Sequence, residues 1–368
     1  MTHGDDILFE HRGRAGIVTL NKPETLNAVT DGMLSALNAQ LDLWETDARV
    51  ERIIIKAVEG RAFSAGGDIR HLYECGIAKN YDFDFFAREY QLNARIAQFP
   101  KPYIALINGI AMGGGVGVSF HGSHRVAGDN IAFAMPEVGI GFFPDVGASH
   151  FLSRLPGRVG LYLGLTGDRI KQNDVVWSGL ASHGCPSEQL AELEAALCET
   201  EDLEAVLAQF HSAFSQAGGG SGPVEQTRGW IDLHFSGSSV SEILTSLKIA
   251  AEVGDSGSGG AGSDDAGAER SWAQKTLETL EQKSPTSLEI AFRQITNGAD
   301  LDIVGCMKME YRILKRILVG TEFYEGIRAA IIDKDRSPKW QPATLSEVDA
   351  ASIAANFDDL GSEELAVS

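Results

Sequence analysis

The chain has 368 residues, 31 Lys and Arg against 51 Asp and Glu, a formal charge of −20 and 43% hydrophobic residues. That length suits one large domain with an appendage, and the apolar content suits a sizeable core. So acidic a surface repels phosphodiester backbones, which argues against nucleic-acid binding, and no apolar run approaches membrane-spanning length. The first residues, MTHGDDILFEHRGR, lack the apolar core of a signal peptide and carry acids unsuited to a transit peptide. Cys75, Cys185, Cys198 and Cys306 show no metal or redox spacing. Free thiols in a reducing cytoplasm are expected, with no metal and no membrane partner.

Ile7 to Glu10 and Ala15 to Leu20 read as two strands around Arg12-Gly13-Arg14, a hairpin opening the fold. From Thr30 the period changes, and Met33, Leu37, Leu41 and Trp44 fall on one helical face, with Thr30 or Asp31 as cap. RIIIKAV, from Arg52, has the continuous apolar character of a strand buried on both faces. Strand, helix and strand in alternation predict an α/β fold. After that strand comes Phe63-Ser64-Ala65-Gly66-Gly67-Asp68, a tight loop in which Asp68 can cap the next helix. Residues 83–98 read as a helix, with Glu89 beside the face carrying Phe86, Tyr90, Asn93 and Ile96.

The stretch from Pro102 to Asp145 organises the rest. An apolar strand, Tyr103 to Ile107, ends at Asn108-Gly109 and leads to Gly113-Gly114-Gly115 and a helix start. The first N–H groups of a helix lack intrahelical partners, and glycines let a substrate approach them closely. Such a place suits an oxygen that gains charge during reaction. The full G-x-G-x-x-G of a dinucleotide site is absent, and so is a G-x-S-x-G nucleophile elbow. Two acids follow. Glu137, after Pro136 and among apolar flanks, is expected on a loop as a partly buried carboxyl of raised pKa, and Asp145 can also cap a helix beginning near Val146. His121, His124, His150 and His183 are read as core or surface residues.

RAFSAGGDI at 61–69, INGIAMGGGVG at 107–117 and MPEVGIGFFPDVGASHFLSRLPG at 135–157 resemble the enoyl-CoA hydratase/isomerase (crotonase) superfamily. EYQLN at 89–93, LTGDRIKQNDVVWSGLASH at 165–183, KSPTSLEIAFRQ at 283–294, MEYRI at 309–313 and IDKDRSPKWQPATLSEV at 332–348 are similar to its 3-hydroxyisobutyryl-CoA hydrolase branch, thioesterases of valine breakdown. The resemblance implies a crotonase-type spiral of repeated ββα units with a C-terminal helical lobe. It implies an oxyanion hole from the Gly67 and Gly114 amides, a catalytic Glu137, the branch aspartate at Asp145 and a substrate-contacting acid at Glu89. No cofactor is implied, since coenzyme A belongs to the acyl-CoA substrate, and a homo-oligomer is compatible with it. Hydratases of the superfamily place a second glutamate where this chain has Gly117, so paired-glutamate hydration is not expected. A one-glutamate hydratase or isomerase and a non-catalytic acyl-CoA binder are the alternatives.

The core is expected over residues 1–185 and a mainly helical region over 186–368. GGGSGP at 218–223 breaks that region, and GDSGSGGAGSDDAG near 254–267 reads as a flexible insertion. Three further helices are expected at 271–283, 284–297 and 302–318, and the turn-rich 333–342 segment offers basic residues either to coenzyme A phosphates or to ion pairs.

Overall fold

The computed structural model describes residues 5–252 and 263–367. Among the described residues, nine strands form two sheets: β1 (Ile7–Arg12), β2 (Ala15–Leu20), β3 (Arg52–Ala57), β4 (Ala62–Ser64), β5 (Tyr103–Ile107), β6 (Ile110–Ala111), β7 (His124–Ala127), β8 (Ala132–Phe133) and β9 (His183–Gly184). The larger sheet has the order β1-β2-β3-β5-β7-β9, antiparallel only at the opening hairpin; the smaller is β4-β6-β8, all parallel. β1 and β2 both join the larger sheet, and the pairs β3-β4, β5-β6 and β7-β8 then each send one strand to each sheet before a helical turn. This is the expected spiral of ββα units.

Burial explains the continuous apolar run of β3. Ile53 and Ile55 join the main core, while Ile54 faces the other way, onto a second cluster with Ala15, Ile17, Ile104, Leu106 and Val126. That second face is covered by the helices Leu190–Glu199 and Leu203–Ala217 through Leu193, Leu197, Leu207 and Phe210. These helices therefore pack on the larger sheet. On the first face the Asp31–Thr46 helix buries Met33, Leu34, Leu37, Leu41 and Trp44, and Thr30 caps it by accepting from the Met33 amide at 3.3 Å.

Beyond residue 223 the described chain is mainly helical. The Pro285–Gly298 helix is capped by Ser284, whose hydroxyl accepts from Ser287 N–H at 3.0 Å, and the Ile303–Ile317 helix packs beside Phe83–Ala97. The expected 271–283 helix starts earlier, at Ser263, so the expected flexible insertion is helical over 263–267. Its remainder lies outside the described residues. The 333–342 segment is tied down by Arg328, which pairs with Asp333 at 2.6 Å and Asp335 at 2.7 Å. Among the described residues no helix is long and apolar enough to cross a membrane.

Candidate active site

The two glycine loops meet at a cavity of about 170 Å³. One loop, Ala65 to Gly67, follows β4; the other, Met112 to Gly114, follows β6, the neighbouring strand of the smaller sheet. Gly66 has φ +111 and Gly113 φ +46, conformations that L side chains rarely adopt. A Cβ on Gly113 would stand 3.2 Å from Gly66 Cα and 3.8 Å from Glu137 Oε1. The loops are thus in contact, with the glutamate beside them. A Cβ on Gly114 would fall 2.5 Å from a Glu89 carboxyl oxygen.

Some amides at this junction are bonded and two are free. Gly115 donates to Met112 C=O at 3.0 Å and Val116 to Gly113 C=O at 2.8 Å, the first bonds of the short Gly114–Gly117 helix. Among the described residues, neither the Gly67 nor the Gly114 N–H has a protein acceptor. Two unpaired donors on one cavity suit an oxygen that becomes negative.

Three carboxyls share the cavity. Glu89 (3% exposed) comes from the Phe83–Ala97 helix, Glu137 (8%) opens a 3₁₀ turn behind Pro136, and Asp145 (5%) follows Pro144. Glu89 Oε1 and Glu137 Oε2 have no hydrogen-bond partner among the described residues, an unusual condition for buried oxygens that marks a place made for a ligand. Burial, then the Asp145 charge, holds both glutamates well above the usual carboxylate range. Burial pushes Asp145 up to about 7, although the Tyr90 hydroxyl, donating to its Oδ2 at 3.0 Å, pulls the other way. Ile69, Leu72, Phe85, Phe86, Ile140, Phe142 and Phe323 wall the rest of the cavity. Its volume is below the roughly 300–1,000 Å³ of sites for drug-sized ligands and suits a short acyl group.

The structure thus brings together every predicted site residue: Gly67, Glu89, Gly114, Glu137 and Asp145. Two expectations resolve differently. Asp68 caps the Ile69–Ile77 helix through its Oδ1, 3.1 Å from His71 N. Asp145 caps nothing with its side chain: the next helix begins after Gly147 without a side-chain cap, and the carboxylate meets Tyr90 instead. Tyr90, the fully buried partner of Asp145, was visible in the sequence only as a residue of the helix's apolar face. At Gly117 a Cβ would sit 2.8 Å from the Asn93 amide, so a side chain there requires Asn93 to shift. A wider groove of about 700 Å³ lies between the Asp31–Thr46 and Phe83–Ala97 helices, but its Arg95 is already paired with Asp42 and Glu45. It offers no comparable set of unpaired groups.

Residues 15–357 match the family model described as enoyl-CoA hydratase/isomerase. The chain belongs to this family. Similar relatives include proteins named "3-hydroxyisobutyryl-CoA hydrolase, mitochondrial" from Danio rerio (42% identical, covering 98% of this chain and 92% of the relative) and Homo sapiens (41%, 98% and 90%). Solved structures of the same fold include one titled a carnitinyl-CoA dehydratase from Mycobacterium thermoresistibile, with TM-score 0.86, 34% identity and 98% of both chains covered. Another is titled an enoyl-CoA hydratase from Rhodobacter sphaeroides 2.4.1, with TM-score 0.83, 35% identity, and 98% of this chain and 99% of that one covered.

In this enoyl-CoA hydratase/isomerase family member the unpaired carboxyls carry a stability cost. A buried acid with a raised pKa is neutral at low pH and penalises the fold as pH rises through that pKa. Glu89→Gln, which cannot ionise, is therefore expected to raise unfolding stability at pH 8, with the gain shrinking toward pH 5. Denaturant unfolding of both proteins at the two pH values checks it; a loss of stability at pH 8 would contradict it.

Proposed function

We propose that this protein hydrolyses the thioester of a short branched 3-hydroxyacyl-CoA, with 3-hydroxyisobutyryl-CoA as the substrate. The observation that carries this reading is the pair of free amides, Gly67 and Gly114, on the same small cavity as a buried and partly unpaired Glu137. The names of relatives similar over nearly the whole chain support the substrate.

In this mechanism the thioester oxygen accepts from both amides, which stabilise the oxyanion as the carbonyl carbon becomes tetrahedral. Glu137 acts in one of two ways. As a nucleophile its oxygen bonds to the carbonyl carbon, the C–S bond breaks, coenzyme A leaves as thiolate, and water then cleaves the mixed anhydride. As a general base it takes a proton from the water that attacks instead. Asp145, held by Tyr90, and Glu89 receive the 3-hydroxyl, giving the unpaired Glu89 Oε1 a partner. We place the protein in a reducing compartment, consistent with four free cysteines; cytoplasm remains our proposal, while "mitochondrial" belongs to the names of the vertebrate relatives.

Thiol release with DTNB across an acyl-CoA panel tests the reading. A site built to hydrogen-bond a hydroxyl discriminates strongly against its absence, so 3-hydroxyisobutyryl-CoA is expected to exceed isobutyryl-CoA by about 10²-fold or more in kcat/KM. Equal rates would remove the roles given to Glu89 and Asp145. Glu137 works as carboxylate in either route, so kcat/KM is expected to fall with acid along a limb above the ordinary glutamate pKa of about 4.3. A limb at or below that value would contradict a buried catalytic glutamate.

The dehydratase and hydratase titles of two solved relatives favour a second reading, addition of water across an enoyl double bond. Gly117, standing where hydratases of the superfamily place a second glutamate, opposes it. Hydration of crotonyl-CoA at a rate comparable to thiol release would favour it.

A further inference from the structure

The turn that presents Asp145 has an unusual backbone. Val146 has φ +51 and Gly147 φ +84, and a β-branched residue adopts the left-handed region only where its surroundings over-determine it. Three side chains distant in sequence supply that surrounding. Gln294 donates its side-chain N–H to Pro144 C=O. His121 Nε2 donates to Val146 C=O at 2.6 Å, which fixes its neutral tautomer with the proton on Nε2. Glu310 accepts from Gly147 N–H at 2.7 Å, from Ser149 N–H at 2.9 Å and from the Ser149 hydroxyl at 2.5 Å.

The bonds to Pro144 C=O, Val146 C=O and Gly147 N–H fall on the peptide units before Asp145 and after Val146, those to Ser149 lie two residues further on, and none of the three residues lines the cavity. Gln294 and Glu310 are fully buried. The His121 ring lies so close to Gly147 that a Cβ there would stand 2.4 Å from its Cε1. Gln294 and Glu310 come from the Pro285–Gly298 and Ile303–Ile317 helices. The C-terminal region thus grips the turn from behind, while Tyr90 holds its carboxylate from the front.

We propose that Glu310, His121 and Gln294 are positioning residues that fix the direction of the Asp145 carboxylate for the reaction. This rests on the reading that Asp145 acts on the substrate. Glu310 is the central member, because its two oxygens accept from both amides at once, even though burial pushes its carboxyl up to about 8. A glutamine there turns a donor toward one of them, which pushes the turn away. A purely structural Glu310 would cost stability without acting through Asp145.

The test is a double-mutant cycle with Glu310→Gln and Asp145→Asn, measuring kcat and KM for 3-hydroxyisobutyryl-CoA alongside thermal unfolding. Glu310→Gln alone is expected to lower kcat by about 10²-fold, the scale of a misplaced catalytic group, with KM within about threefold. In the Asp145→Asn background the same change is expected to cost less than about threefold, because coupled residues are not additive. His121→Phe is expected to reproduce the loss, and His121→Gln, which keeps an N–H near the Nε2 place, to recover most of it. This pair carries the test if Glu310→Gln fails to fold. An equal cost of Glu310→Gln in both backgrounds, or equal activity of the Phe and Gln variants at 121, would overturn the proposal while leaving Asp145 catalytic. Full activity of Asp145→Asn by itself would instead overturn the reading beneath it.

Discussion

Glu137→Gln is expected to lower kcat for thiol release by about 10²–10⁴-fold, the range associated with a positioned general base, and to leave the fold intact. The amide has nearly the shape of the carboxyl but neither attacks a carbonyl carbon nor takes a proton from water. Because Glu137 is buried with Oε2 unpartnered, losing its ionisation removes a penalty from the folded state. The expected pattern is thus low activity, unchanged substrate binding and a melting temperature no lower than that of the parent. Thiol-release kinetics, acyl-CoA binding and thermal unfolding on one preparation check all three. A variant with kcat near the parent value would assign the chemistry to another group, Asp145 being the nearest candidate.

Gly114→Ala has the next largest expected effect, for a different reason. A Cβ at 114 meets Glu89 Oε1 at 2.5 Å and Val29 Cβ at 3.3 Å, so the Glu89 carboxyl must turn aside and the loop must shift against Val29. Overpacking of this kind costs about 1–3 kcal/mol of stability. Displacing one oxyanion donor costs about 10²–10³-fold in kcat. Gly67→Ala provides the contrast, since no protein atom lies within 4 Å of a Cβ there. Its stability is expected to stay within about 0.5 kcal/mol of the parent, the usual range for substitutions away from packed features. Equal kcat for parent and Gly114→Ala would show that the 114 amide takes no part in catalysis.

Much of this site was legible because its signals are local. Glycine runs after short strands, a proline before an acid, and apolar flanks around Glu137 each report on a few adjacent residues. The strand layout was only partly legible: β6 and β9 have two residues each, too short for a period to register. The helix start at Ser263 was hidden because SDDAGAER has the composition of a solvated loop, and polar helix faces share that composition. The helices at 190–217 were expected with the C-terminal helical region. Their amphipathic pattern is plain, but it does not name the sheet face they cover.

What the sequence could not convey is pairing over long separation. Tyr90 and Asp145 are 55 residues apart, and Glu310 meets Gly147 across 163. No local pattern distinguishes His121, which steadies Val146, from a histidine that merely fills space. The left-handed Val146 is the sharpest case, since propensity argues against that conformation for valine and only the surrounding bonds enforce it.

The central claim is that two main-chain amides hold the reacting carbonyl beside Glu137. Isotope-edited infrared spectroscopy tests it most directly, using a non-hydrolysable ketone analogue in which a methylene replaces the thioester sulfur of 3-hydroxyisobutyryl-CoA. The account predicts that the C=O stretch of the bound analogue moves to lower frequency than in water, and that Gly114→Ala returns it toward the aqueous value. A bound analogue whose carbonyl absorbs at its aqueous position in the parent protein would contradict the account.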